Sequence, residues 1–164
     1  QRQCGAAFDG INWRIRTISI MATVEAVCTS DKKGIVKKEQ QRVTLKTDWG
    51  IEGDAHAGVW HRQVSLLASE SIQLVREVLP TLKKGAFAEN IITRGIDLES
   101  LGIGKRIRVG DSAVLEITQI GKECHNSGCA IKKATGDCIM PREGLFAKVI
   151  EGGSVGPGDE IVKL

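Results

Sequence analysis

The sequence has no tyrosine, three prolines and six aromatic residues in 164, and no uninterrupted apolar run of membrane-spanning length. A transmembrane helix needs about 20 such residues, so an integral membrane protein of the helical kind is excluded. So few rings exclude a platform that stacks single-stranded bases. Charge of one sign is also lacking. Of the net +3, residues 1–20 supply Arg2, Arg14 and Arg16 against Asp9, and the rest of the chain holds 20 basic and 19 acidic side chains. No basic stripe for a duplex is present, and neither a nucleic-acid nor a membrane partner is expected.

Residues 1–20 show no apolar periodicity and no caps. They also lack the apolar core and small-residue cleavage site of a signal peptide. We read them as an extension, upstream of the folding unit or appended to it. Patterned sequence begins at Met21, so one domain over 21–164 in a reducing, cytoplasmic setting is expected.

The apolar fraction of 41% and charged fraction of 26% suit a single soluble core. Nineteen glycines beside few aromatics predict tight turns between short strands. Alternation predicts strands over 22–28, 42–47 and 62–67, and a hairpin of 101–109 with 113–120 across Gly110-Asp111. Ile72, Val75, Val78, Leu79 and Leu82 recur at helical spacing, with Ser69 as the expected N-cap and Pro80 as the stop. Residues 87–92 read as a strand, and 145–150 as a strand or short helix. The sum is a mainly β, barrel-like single domain with minor α content.

Cysteine marks the first place where chemistry is concentrated. Cys124, Cys129 and Cys138 fall within fifteen residues, on a polar, glycine-bearing stretch that follows a predicted strand. Clustered cysteines in a reducing compartment are more often reactive or metal-binding than disulfide-bonded. Lys122 and His125 would favour a thiolate at Cys124. Such a thiolate can be a nucleophile, a persulfide carrier or a soft-metal ligand. Zinc on Cys124, His125, Cys129 and Cys138 has the right number of ligands, but the spacing matches no usual finger or ribbon.

Three further clusters stand out. Gly53-Asp-Ala-His56-Ala-Gly58-Val-Trp-His61-Arg62 joins a glycine turn to two histidines and an arginine, a candidate anion seat. Glu89 and Asn90 interrupt an apolar run, and either face solvent or hydrogen-bond something specific. Arg142 is a bidentate oxyanion donor or the partner of an ion pair with Glu143 or another neighbour.

Taken in order, Gly50-Ile-Glu-Gly-Asp-Ala-His-Ala-Gly58, His61-Arg-Gln-Val-Ser-Leu66, Phe87-Ala-Glu-Asn-Ile-Ile-Thr93, Leu101-Gly-Ile-Gly104, Val109-Gly-Asp-Ser-Ala-Val-Leu-Glu-Ile117 and the Cys124 loop resemble the MOSC family, named for the C-terminal domain of molybdenum cofactor sulfurase. The likeness runs over 21–164 and implies a barrel-like fold in a stand-alone small module without the sulfurase's pyridoxal-phosphate domain. It implies a link to the molybdenum cofactor (molybdopterin), a pterin dithiolene bearing a phosphate. In the family a cysteine after the long hairpin is held to carry sulfane sulfur or to ligate molybdenum, and Cys124 occupies that place. A soft thiolate suits both tasks. By the same resemblance His56, His61, Arg62, Lys122 and Arg142 would receive anionic groups, and Glu89 and Asn90 would bond the pterin edge. Partners would be a cysteine desulfurase or molybdenum-cofactor enzymes. One departure is Glu123 where the family often has proline before the cysteine, a charge that disfavours the thiolate. Two other functions stay open at this point: a molybdenum-dependent reductase of N-hydroxylated compounds, and a zinc-stabilised, non-enzymatic interaction module.

Overall fold

A computed structural model describes residues 21–124 and 129–164. His125 therefore lies outside the described residues, as does the extension 1–20. In chain order the elements are β1 (Thr23–Thr29), β2 (Lys38–Gln40), β3 (Val43–Lys46), β4 (Gly50–Ile51), β5 (Val64–Ala68), α1 (Ser69–Val78), β6 (Ile91–Arg94), β7 (Arg106–Val109), β8 (Ala113–Ile120), α2 (Ala130–Thr135), α3 (Met140–Glu143), β9 (Leu145–Glu151), β10 (Gly153–Val155) and β11 (Ile161–Lys163).

Eight strands form one sheet in the order β11-β7-β8-β9-β5-β6-β1-β2, and β10-β3-β4 form a second. The fold is mainly β, as expected. The large sheet has two ends, and no ladder joins β11 to β2. An isolated bridge between Thr23 and Glu160 brings the start of β1 beside the approach to β11, so the sheet curls on itself without a ladder that closes it. All pairs are antiparallel except β5 with β6, which the α1 crossover makes parallel.

The central strands are buried on both faces. Along β5, Val64 and Leu66 enter the core between the two sheets, and Leu67 enters a second core under the helices with Ile72, Ile92, Ile131 and Phe146. On β1 a register shift between Val24 and Ala26 breaks strict alternation. Val24 and Val27 thus share the first core while Ala26 turns to the second.

Several local expectations shift. Ser69 is the first helical residue of α1, and extended Ala68 occupies the cap position without a side-chain bond, because β5 runs directly into the helix. Val78, assigned to the helix's apolar face, is exposed, as is Leu74. The 101–109 strand starts only at Arg106, and the 87–92 strand only at Ile91, since Ala88 takes a positive φ of 62°.

Leu66 has no exposed surface in the central core. Leu66→Ala is expected to cost about 2–5 kcal/mol of unfolding free energy, read as a lowered denaturant midpoint with an unchanged slope.

Candidate functional site

The functional geometry starts from a buried charge. Lys37, 1% exposed, precedes β2 and turns its ammonium inward. There Nζ donates to Asp54 Oδ1 at 2.5 Å and to Ser30 Oγ at 3.5 Å, and meets His56 Nδ1 at 3.2 Å. His56 Nδ1 also lies 3.6 Å from Asp54 Oδ2, so the imidazole, the ammonium and the carboxylate meet at one point. Asp54 also accepts the backbone N–H of Ser30 and of His56. Burial alone would raise its pKa. The bonds from His56, Lys37 and Ser30 outweigh that and hold the carboxyl well below the usual carboxylate range. Burial likewise pushes the Lys37 ammonium down, against the support of Asp54.

The loop after β4 is thereby pinned, and it carries His56, Trp60 and Arg62 to the rim of a hollow of about 300 Å³. Trp60 Nε1–H donates to the His56 carbonyl at 2.7 Å, which orients its ring. Buried Gln63 ties the same loop to β9, accepting from the Val149 N–H and donating to the Gly58 carbonyl. Across the hollow stand Asn90, Lys122 and Phe146.

Three cations meet here on two rings. Lys33 and Arg62 lie 5.3 and 5.0 Å from the Trp60 ring centre, and Arg62 and Lys122 each lie 5.8 Å from that of Phe146. Rings hold cations in place without neutralising them. Among the described residues no ion pair joins Lys33, Arg62 or Lys122 to a carboxylate. Arg62 Nε is buried and has no hydrogen-bond partner. Buried donors are almost always satisfied, which makes this unpaired guanidinium nitrogen exceptional.

A second hollow of about 680 Å³ adjoins the first, sharing Ala88, Lys122 and Met140. Its wall is largely apolar, with Val36, Leu82, Phe87 and Ile131, and carries Cys124, Cys129 and Cys138. All three are free thiols, with Cys124 and Cys129 half-buried and Cys138 buried. Burial pushes the Cys138 thiol up. The remote Cys28, enclosed in β1, is pushed up to about 12 by burial and by nearby Glu89 and Glu39. Gly121, at φ 65°, starts the Cys124 segment, where any Cβ would collide with the Pro141 carbonyl. That contact fixes the segment against α3.

Of the residues singled out from the sequence, His56, Arg62, Asn90 and Lys122 share the cationic hollow, and Cys124 stands in the adjoining one. His61 points elsewhere, to Gln119 Oε1 at 3.0 Å. Arg142 is exposed, ion-paired with Asp137, and lines a different depression beside α1. Glu89 has no exposed surface, and its two carboxylate oxygens accept the N–H groups of Gly85 and Phe87. It shapes the loop behind the hollow and does not line it. Burial raises its pKa in spite of those bonds. Asn90 splices three strands: Oδ1 accepts from Ser65, and Nδ2 donates to the Cys28 carbonyl, leaving one Nδ2 hydrogen. Lys33, Lys37, Trp60 and Phe146 escaped the sequence reading. Trp60 lay within a segment already singled out, and its position beside Arg62 was the available signal.

Among the described residues no group of three or more His, Cys, Asp or Glu side chains is arranged to hold a metal ion. No described helix is long and apolar enough to cross a membrane.

The family model for the MOSC domain matches residues 53–162. A search of curated proteins found no match. Among solved structures the chain is similar to the YuaD protein of Bacillus subtilis, at TM-score 0.71 and 22% identity over 87% of this chain and 94% of that one. It is also similar to YiiM of Geobacillus stearothermophilus, at 0.63 and 16% over 87% and 75%, and to YiiM of Escherichia coli, at 0.55 and 19% over 86% and 69%. At these identities the structural likeness speaks for the fold.

Removing the Asp54 charge tests the pinned loop. Asp54→Asn leaves the Lys37 ammonium buried and uncompensated, at an expected cost of about 3–5 kcal/mol near neutral pH. Asp54's depressed folded pKa means its contribution is complete above the unfolded value near ~3.9 and fades as pH falls below it. The gap between wild type and Asp54→Asn in urea titrations should therefore narrow on acidification and stay level between about pH 5 and 7.

Proposed function

The chain belongs to the MOSC domain family, and on that premise we propose that it binds the molybdenum cofactor or a related pterin–metal species, with Cys124 contacting the metal or carrying sulfane sulfur. One observation carries the reading: three cations and an unpartnered buried guanidinium nitrogen surround a hollow that borders a half-buried thiol. A doubly anionic phosphate and an anionic dithiolene match the first feature, and a soft metal or a sulfur atom matches the second. The residues present therefore fit the group.

When bound, the cofactor would supply a soft, redox-active metal held by dithiolene sulfur. The protein's own residues do the rest. Arg62, Lys33 and Lys122 take the anionic groups, and the Trp60 and Phe146 rings keep those cations spread while the site is being filled. His56 meets Lys37 through Nδ1, which leaves Nε2 for a ligand in the hollow that this residue lines. Asn90 offers its remaining Nδ2 hydrogen to a ring edge. Cys124 follows Lys122 by two positions, and both line the apolar hollow that opens on the cationic one.

Protein purified without added metal is expected to contain molybdenum and a fluorescent pterin. Stoichiometric zinc without pterin would overturn the reading. Arg62→Ala should weaken binding of the isolated cofactor by about tenfold or more, the worth of one charge-assisted contact, whereas His61→Ala, outside the hollow, should leave it within about twofold. Equilibrium dialysis followed by pterin fluorescence checks both.

A further inference from the structure

Proposed function leaves two of the three thiols of the apolar hollow without a task. Cys124 leads out of β8, Cys129 immediately precedes α2, and Cys138 lies between α2 and α3. Three separate positions thus line one hollow, and none of the three is in a disulfide. Cys138 is 9% exposed, packed beside Ile139 and Met140 in the second core, and is poorly placed to move. Cys129 is half-buried, as Cys124 is, and four residues separate the two in the chain. That short tether keeps the effective concentration of one thiol at the other high. The hollow they share opens past Lys122 and Met140 into the cationic one.

We propose that Cys129 is a resolving thiol for Cys124, which attacks a persulfide on Cys124 and expels hydrosulfide toward the cationic hollow. The inference rests on the reading of Cys124 as a sulfane-sulfur carrier. The Cys129 thiolate attacks Cys124 Sγ. A bond forms between the two Sγ atoms, and the bond from Cys124 Sγ to the terminal sulfur breaks. The electron pair leaves with that sulfur as HS⁻, so the sulfane sulfur is reduced and the Cys129 sulfur is oxidised to the disulfide level. Atoms and charge balance with no outside oxidant. A cellular dithiol returns the Cys124–Cys129 disulfide to two thiols by ordinary exchange. The arrangement suits its product. An apolar wall favours neither the thiolate nor HS⁻, whereas Lys122, Arg62 and Lys33 next door attract the anion to the place where the proposed cofactor would sit. Sulfur would thereby be delivered as sulfide, next to its acceptor, rather than handed over as a persulfide.

The full chain, reduced and then freed of reductant, is incubated anaerobically with a cysteine desulfurase and cysteine, and the desulfurase is removed. Peptide mass spectrometry then locates sulfur, and a colorimetric assay measures sulfide. Wild type is expected to release close to one sulfide per chain and to yield a Cys124–Cys129 disulfide peptide. Cys129→Ser and Cys129→Ala should keep the extra sulfur on Cys124 and release about tenfold less sulfide or lower. Cys138→Ser should behave as wild type. A stable persulfide on Cys124 in the wild type, or a disulfide to Cys138, would overturn the role of Cys129 while leaving Cys124 as a carrier. Failure of both Cys129→Ser and Cys129→Ala to accumulate sulfur on Cys124 would sink the carrier reading together with this one. Coincident thermal unfolding of the serine and alanine variants with wild type establishes that the difference is chemical.

Discussion

An ammonium with no exposed surface on its side chain is the constraint around which the site is organised. Lys37 meets Asp54, Ser30 and His56 through Nζ, and Asp54 completes its own shell with the backbone N–H groups of Ser30 and His56. Burying two charges is expensive, and attraction offsets the cost only when geometry and extra hydrogen bonds are favourable. Here both are present. Two loops that are remote in sequence are locked at one point. The backbone joins in: the Lys37 N–H donates to the Gly85 carbonyl, and the two chains approach so closely that a Cβ at Gly85 would strike the Lys37 carbonyl. Glu89 then caps the turn that Gly85 opens.

From that lock the rest of the cavity follows. Holding the loop after β4 fixes Trp60, and Trp60 with Phe146 supports three cations without cancelling their charge. A carboxylate in the same place would have made a stable ion-pair cluster and closed the site to anions. The apolar hollow beside it has the opposite character, and Lys122, Ala88 and Met140 form the threshold between them. A thiol-bearing apolar hollow and a cationic one thus share a boundary two residues from Cys124.

Strand content, the hairpin across Gly110 and the grouping of His56 with Arg62 in one loop were legible from residue types and spacing. Alternation and turn glycines report on local conformation, and local conformation is what short-range physics dictates. Where the reading slipped, a longer-range effect intervened. Glu89 stands in an apolar run because its partners are the backbone N–H groups of Gly85 and Phe87, whereas Asn90 bonds Ser65 and the Cys28 carbonyl and still lines the cationic hollow. Arg142 and His61 have the right chemistry for an anion but face Asp137 and Gln119.

Residue chemistry along the chain is enough to say that this is a mainly β domain carrying clustered thiols and cationic side chains, since each of those properties belongs to a short segment. Which side chains meet is another matter. Lys33, Arg62 and Lys122 come from three loops, and their convergence depends on the parallel β5–β6 crossover, the bulge in β1 and the buried Lys37–Asp54 pair acting together. No local pattern encodes a distance between loops, because that distance is set by how whole strands pack.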